Sequence, residues 1–133
     1  MTSSSLSFSR EEHLKSRKRI TSLFAEGFAV KSFPLRAQLR FVPEVEDRKL
    51  LEIGFVVSKR SFKKAVDRNR IKRQMIEVFR LNREELMQTL AHEHCYIDVM
   101  LIFVHREHVS FEQLEKAWKK LQSKLIDEVQ NHS

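Results

Sequence analysis

Residues 51–79 read LEIGFVVSKRSFKKAVDRNRIKRQMIEVF, and the spacing of apolar residues changes part-way along this stretch. Up to residue 58 every second side chain is apolar, which is typical of a half-buried β-strand: Ile53, Phe55 and Val57. From about Val66 to Leu86 the apolar residues recur at helical spacing instead. They fall within one arc of about 100° on a helical projection, which predicts a long helix docked on a core: Ile71, Met75, Val78 and Phe79.

The basic segment, residues 59–73, lies where this strand ends and this helix begins. Its eight basic residues and one acid, Asp67, give it a net charge of +7, which equals that of the whole chain. A concentrated positive charge on a neutral body indicates a polyanion site, and nucleic acid is the first candidate because phosphate contacts release counterions. The alternative is an inert, solvated lysine-rich loop.

The chain before this stretch predicts one helix and two strands. Ser16 is a candidate N-cap for a helix that ends near Glu26, with Gly27 as its stop. Residues 28–33 suggest a short strand, and residues 35–42 alternate as a half-buried strand does. We expect 35–42 and 51–58 to form an antiparallel pair. The helix carries a narrow apolar stripe of Ile20, Leu23 and Phe24.

The chain after the basic helix predicts a strand and a helix. Residues 95–104 are apolar on both faces apart from Asp98, which indicates a central strand. Residues 110–113, Ser-Phe-Glu-Gln, form a capping box that opens the last helix. The order is therefore α-β-β-β-α-β-α. The fold class is α+β, with three helices on a mixed sheet of about four strands and a parallel crossover through the basic helix.

Length and composition fit a single domain of 133 residues, with flexible residues 1–9 and a core over about 10–128 that would carry the nucleic-acid site. No apolar stretch approaches the length of a membrane span, and no secretory signal is visible. The single cysteine, Cys95, cannot form an internal disulfide, which favours the cytoplasm.

No constellation of residues predicts catalysis or metal binding. Two glycines cannot form a phosphate-cradling loop. His92 and His94 are two residues apart with no second ligand pair, so we interpret 92–95 as a structural loop entering a strand. His105 and His108 have no obvious carboxylate partner. We therefore expect no catalytic residues and no metal site in the chain.

The basic segment also carries a specific pattern, Val57-Ser-Lys-Arg60 followed by Lys64-Ala-Val-Asp-Arg-Asn-Arg-Ile-Lys-Arg73. This pattern closely resembles the signature of the bacterial ribonuclease P protein subunit. The resemblance extends over roughly residues 8–126, from His13–Arg19 in the first helix to Ser110–Leu114 at the last.

The resemblance implies an α-β sandwich with a left-handed β-α-β crossover, like a ribosomal protein domain. It also implies a subunit of an endoribonuclease holoenzyme that removes the 5′ leader of precursor tRNA. In that family the catalytic RNA and its Mg²⁺ ions carry out the chemistry, and the protein binds no cofactor alone. The implied partners are the catalytic RNA, with one protein per RNA, and precursor tRNA, with no membrane and no DNA.

Two sets of site residues follow from the resemblance. The leader-binding cleft would use Phe24, Arg36, Gln38, Arg40 and Val56. Two roles stay open: Phe24 is either core or a stacking platform, and Asn69 either contacts RNA or caps its own helix. The catalytic-RNA-binding set is Lys59, Arg60, Lys63, Lys64, Arg68, Asn69, Arg70, Lys72 and Arg73.

The chain departs from the family pattern at Ile20 and Gln38, where aromatic residues are frequent, and at Ile76, where a basic residue is common. We therefore expect leader affinity to depend more on charge. The alternative functions are a ribosomal or assembly factor that uses the same helix, or a stand-alone nuclease. The nuclease alternative is disfavoured because the sequence shows no catalytic cluster. A DNA reader is disfavoured because a strand, not a helix-turn-helix pair, precedes the basic helix.

Overall fold

The computed structural model describes residues 17–43 and 49–132. Ser16, the expected helix cap, and residues 1–9 lie outside the described residues. None of the helices in the described ranges is long and apolar enough to cross a membrane. The elements are α1 (Arg17–Glu26), β1 (Phe28–Ser32), β2 (Leu35–Val42), β3 (Leu51–Val57), α2 (Ala65–Asn82), α3 (Glu84–Glu93), β4 (Tyr96–Phe103) and α4 (Phe111–His132).

The four strands form one mixed sheet in the order β1-β2-β4-β3. β4 is antiparallel to β2 and parallel to β3. The predicted central strand and parallel crossover are therefore confirmed. The predicted antiparallel pairing of 35–42 with 51–58 is wrong, because β4 lies between these two strands. A strand that is apolar on both faces is best buried at the centre of the sheet, with a neighbour on each side. The left-handed sense of the crossover stays a prediction.

One face of the sheet carries the hydrophobic core. Odd-numbered residues of β2, β3 and β4 point to this face and pack against α2, α3 and α4. Phe79 of α2 links the layers, since its ring meets Phe55 of β3 at 5.9 Å and Trp118 of α4 at 5.5 Å, both edge to face. Edge-to-face aromatic pairs add to the stabilisation from buried area. All four residues of the predicted apolar arc of the basic helix are buried: Ile71, Met75, Val78 and Phe79.

The basic helix ends earlier than the sequence predicts. The expected single helix from Val66 to Leu86 is wrong, because α2 ends at Asn82 and α3 begins at Glu84. The reason lies in α4, which bonds the backbone groups that a helix break exposes. The Trp118 indole Nε1 donates to the Asn82 carbonyl at 3.1 Å, and the Leu86 backbone N–H donates to Gln122 Oε1 at 3.1 Å.

The described ranges therefore contain four helices where three were expected. The added helix, α3, includes two residues of the segment interpreted as a structural loop, residues 92–95. His94 ends α3 in the left-handed conformation, with φ of 52°. The following N–H, of Cys95, donates to the Leu90 carbonyl at 3.0 Å. This is a common way for a helix to stop.

Two predicted helix ends are confirmed. Ser110 and Gln113 bond reciprocally, because each backbone N–H donates to the other side chain at 3.0–3.1 Å. Gly27 follows α1, and its N–H donates to the Leu23 carbonyl at 2.9 Å. A Cβ at this position would lie 2.4 Å from the carbonyl oxygens of both Leu23 and Leu39, so only glycine lets the chain pass this close to β2.

The other face of the sheet holds α1 through a buried carboxylate. Asp98 of β4 is fully buried and pairs with Arg19 of α1 and with Arg40 of β2, whose Nη2 lies 3.1 Å from Oδ2. Arg19 also contacts Glu52 of β3 at 2.6 Å, and Arg40 contacts Glu26 at the end of α1 at 3.1 Å. Burial acts to lower the pKa of Arg19, but the hydrogen bonds and charges of Glu52 and Asp98 raise it overall.

We expect Asp98→Ala to lower the free energy of unfolding by about 3 kcal/mol, since Arg19 and Arg40 would lose their buried counter-charge. The matched control is Glu26→Gln, because Glu26 is 65% exposed in its pair with Arg40 and such pairs contribute under about 1 kcal/mol. Urea unfolding of both variants measures the difference. Equal losses would show that the carboxylate does not anchor α1.

Candidate nucleic-acid interface

The basic segment follows β3 and forms the first turns of α2. Its loop part, residues 59–64, is held by backbone hydrogen bonds to the residue before it: the N–H groups of Ser61 and Phe62 both donate to the Ser58 carbonyl. All but one of the predicted catalytic-RNA-binding residues are exposed, and Arg68 is half-buried. The exposed residues are Lys59, Arg60, Lys63, Lys64, Asn69, Arg70, Lys72 and Arg73.

Phe62 anchors this loop to the body of the protein. Its side chain is buried between the rings of Phe103 at 6.1 Å and His108 at 4.9 Å. His108 also lies 3.4 Å from Asp67 in the first turn of α2, and His105 lies 3.8 Å from Glu107. The expectation that these histidines lack a carboxylate partner is therefore wrong. The sequence did not predict the His108 contact because it joins a loop to the start of a helix about 40 residues earlier in the chain.

Arg68 differs from its neighbours because it bonds the chain itself. Its Nη1 donates to the backbone carbonyls of Phe62 and Lys63, both at 2.8 Å. A charged donor on carbonyl oxygens forms a strong hydrogen bond. Arg68 therefore fixes the loop that presents Lys63 and Lys64. Its predicted contact with RNA stays a prediction.

Asn69 is not the cap of its helix. Lys64 occupies the N-cap position of α2 in extended conformation, without a side-chain hydrogen bond to the helix. Asn69 lies inside the helix, and its side chain is exposed. The capping alternative is therefore wrong, and contact with RNA stays a prediction for this residue.

Four of the five predicted cleft residues lie on the sheet face that holds α1, and the fifth, Phe24, lies on α1 itself. On this face, Leu23 of α1 packs on Met100 of β4, with Ile20 and Ile102 beside them. Strand register places the predicted residues in successive rows across the sheet: Arg36, Ile102 and Val56 in one row, Gln38, Met100 and Gly54 in the next, and Arg40, Asp98 and Glu52 in the third.

The predicted cleft residues divide into two groups. Gln38 and Arg40 hold α1, since Gln38 Nε2 donates to the Leu23 carbonyl at 3.4 Å and Arg40 pairs with Asp98 and Glu26. Phe24, Arg36 and Val56 are accessible. Phe24 is 47% exposed, which excludes its alternative role as plain core.

Arg36 is the unusual member of the second group. Its side chain makes no hydrogen bond and no ion pair to residues 17–43 or 49–132, and its Nε is buried without a partner. A buried donor without an acceptor is costly, and such groups need an explanation. A ligand that brings an acceptor to this face would supply one.

The described residues offer little for metal binding or nucleophilic chemistry. Over 17–43 and 49–132, no group of three or more His, Cys, Asp or Glu side chains is arranged to hold a metal ion. Cys95 is buried, and this burial, followed by the charge of Glu93, raises the pKa of its thiol. A thiol with a raised pKa is a poor nucleophile.

A family model described as Ribonuclease P matches residues 8–126 of the chain. The chain belongs to the ribonuclease P protein family. A ribonuclease P protein component from Porphyromonas gingivalis ATCC 33277 is 34% identical over 113 residues, which cover 84% of this chain and 81% of that protein. Membership of this family places the chain in tRNA processing.

Solved ribonuclease P proteins have the same fold. The Staphylococcus aureus RNase P protein superposes with a TM-score of 0.63 at 17% identity, covering 86% of this chain and 94% of the other. The RNase P protein from Thermotoga maritima also gives a TM-score of 0.63, at 23% identity and with coverages of 85% and 96%. At these identities the likeness supports the α+β fold.

We expect Arg68→Ala to lower the unfolding free energy of this ribonuclease P protein by about 2 kcal/mol, because two carbonyls lose a charged donor. Arg70→Ala is the matched control and should change stability by less than about 0.5 kcal/mol, since Arg70 is exposed. Denaturant unfolding gives both values, and amide exchange of Ser61 and Phe62 reports the loop. Unchanged stability and exchange in Arg68→Ala would contradict a structural role.

Proposed function

We propose that the chain is the protein subunit of ribonuclease P, which binds the catalytic RNA and the 5′ leader of precursor tRNA and promotes removal of the leader. One observation supports this proposal above the others. In a chain that belongs to this family, nearly all the cations of the basic segment are exposed, and Arg68 and Phe62 anchor the segment to the body of the protein. Anchored cations lose little conformational freedom when they bind, which favours affinity.

The basic segment would bind the catalytic RNA mainly through phosphates. Arginine can contact a phosphate through two N–H groups, and Arg70 and Arg73 lie exposed on α2 for this purpose. Lys59, Lys63 and Lys64 add point charges from the preceding loop. Each neutralised phosphate releases counterions, so binding should weaken steeply as salt increases.

We assign bond cleavage to the RNA and its Mg²⁺ ions, and an electrostatic role to the protein. Two RNAs that meet at one site repel each other through their phosphates. Fixed cations on the protein would reduce this repulsion and hence the concentration of Mg²⁺ needed for assembly. The proposed complex has one protein per RNA, with the basic segment as its contact to the RNA.

The leader would lie on the sheet face beside α1. Single strands bind to aromatic platforms beside positive charges. Phe24 supplies an exposed ring, Arg36 an unpaired guanidinium among the described residues, and Val56 an exposed apolar side chain. Gln38 and Arg40 would act mainly by holding α1 in place.

The test is cleavage of precursor tRNA by a bacterial ribonuclease P RNA at low Mg²⁺, with and without this chain. We expect strong stimulation that requires the RNA, because fixed cations replace diffuse ones. No stimulation, despite tight binding to the RNA, would favour another RNA-binding role. Cleavage by the chain after ribonuclease treatment would indicate a protein nuclease instead.

The same system tests the basic segment. Arg70→Ala should flatten the dependence of log K on log salt for the catalytic RNA by up to about one unit. Lys119→Ala, an exposed cation on α4, is the control and should leave the slope unchanged. Equal slopes for wild type and Arg70→Ala would show that Arg70 does not contact a phosphate in the complex.

We expect Phe24→Ala to weaken holoenzyme binding to precursor tRNA by about fivefold or more, because base stacking on an aromatic ring contributes about 1–3 kcal/mol. Binding to mature tRNA, which lacks the leader, should be unchanged. Stability should fall by less than about 1 kcal/mol, as for other largely exposed side chains. Leu81→Ala on α2, 46% exposed, is the matched control. Equal losses for both tRNAs would exclude leader stacking.

A further inference from the structure

The turn between β1 and β2 presents an aromatic ring to solvent. Phe33 is 68% exposed, more than Phe24 at 47%. One side of the ring contacts His105 edge to face at 4.8 Å, which favours this orientation. The turn itself is attached to β4, since the Val104 N–H donates to the Pro34 carbonyl at 2.8 Å. An exposed aromatic ring on a turn that the sheet holds in place offers a contact surface at a defined position.

Two cavities border this ring, one on each side. The first, about 230 Å³, lies on the face that holds α1 and is lined by Lys31, Phe33, Leu35, Arg36 and Val104. The second, about 510 Å³, lies between the turn and α4, and its cations are Lys116 and Lys120. Phe33 lines both cavities.

The charge of both cavities is positive. Each contains two cations, and no aspartate or glutamate lines either one. Lys116 and Lys120 are one helical turn apart and point to the same side of α4. Within residues 17–43 and 49–132, the Arg36 guanidinium has neither a hydrogen bond nor an ion pair, and its buried Nε has no acceptor. A ring between two pairs of cations is suited to a nucleobase with a phosphate on either side.

The first cavity, which Phe33 lines, adjoins the proposed leader surface through Arg36. Arg36 is in register with Ile102, and Ile102 with Val56, so one row of side chains crosses the sheet. Lys31, opposite Arg36 on the edge strand, extends this row to the first cavity. A single RNA strand that lies along Val56, Ile102 and Arg36 would therefore lead to Phe33, which lines the same cavity as Arg36.

We propose that Phe33 is a second stacking platform, which holds a leader nucleotide beyond those bound beside α1. Arg36 and Lys31 contact its phosphate on one side, and Lys116 and Lys120 receive the next phosphate on the other. This proposal rests on the proposed leader binding and extends it. It predicts that the affinity of the holoenzyme increases in two stages as the leader grows.

The experiment measures holoenzyme affinity for precursor tRNAs whose leaders are lengthened one nucleotide at a time. For the wild type we expect a first increase from the surface beside α1 and a later one from Phe33. Phe33→Ala should lose the later increase, about fivefold or more, and retain the first. Phe33→Tyr should retain both, since it keeps the ring. Phe33→Leu, which keeps apolar bulk without a ring, replaces the alanine variant if that variant is unstable.

The pattern of results separates this proposal from the function on which it rests. If the affinity of wild type and Phe33→Ala increases identically, the platform is excluded while leader binding stands. If neither responds to leader length, leader binding is excluded and the platform with it. A changed oligomeric state of Phe33→Ala with both increases intact would assign the ring to a second copy of the chain, against the proposal.

Substitution of the lysines on α4 provides an independent test of the proposal. Lys120→Ala should reduce the salt dependence of binding for long leaders but not for short ones. Lys119→Ala is the matched control, because Lys119 is one residue away on α4 but does not line the second cavity. Equal effects of the two variants, or an effect of Lys120→Ala on short leaders, would overturn the assigned path.

Discussion

The buried carboxylate of Asp98 is the interaction on which the candidate interface depends. It lies at the centre of the sheet, where an unpaired charge would be very costly. Two arginines neutralise it, one from α1 and one from β2, and each also contacts a glutamate. The charge therefore requires α1 to lie across this face of the sheet. Because α1 lies there, Phe24 and Arg36 are left accessible beside it.

The elements could be predicted from the sequence, because each depends on a local period. Strand 35–42, the start of α2 and the capping box at Ser110 match the structure closely. Strand pairing and the helix break could not be predicted, because both depend on distant residues. β4 separates β2 from β3 although it follows both in sequence. The break at Arg83 depends on side chains of α4.

The candidate site shows the same division. The basic segment is contiguous, so its charge and its place at a strand-to-helix junction are evident before folding. The face beside α1 is assembled from separate elements. The sequence did not show which of its side chains bond to other parts of the protein and which stay accessible. Gln38 and Arg40 are used to hold α1, and Phe24 and Arg36 are left for a ligand. Phe33 was not predicted as a binding residue, because a single phenylalanine before a proline gives no periodic pattern. Its exposure and the lysines on either side of it become evident only from the folded structure.

The number of basic residues therefore overstates how many cations can contact RNA. Arg19, Arg40 and Arg68 are bonded to carboxylates or backbone carbonyls within the chain. These bonds fix α1 and the loop that carries Lys63 and Lys64. The exposed cations of the basic segment, such as Arg70 and Arg73, stay available to phosphates because the engaged arginines hold their surroundings in place. Replacing an engaged arginine would thus weaken RNA binding through lost order, and replacing a free one through lost charge. Only the second kind of loss should depend strongly on salt, since counterion release follows contacts to phosphate.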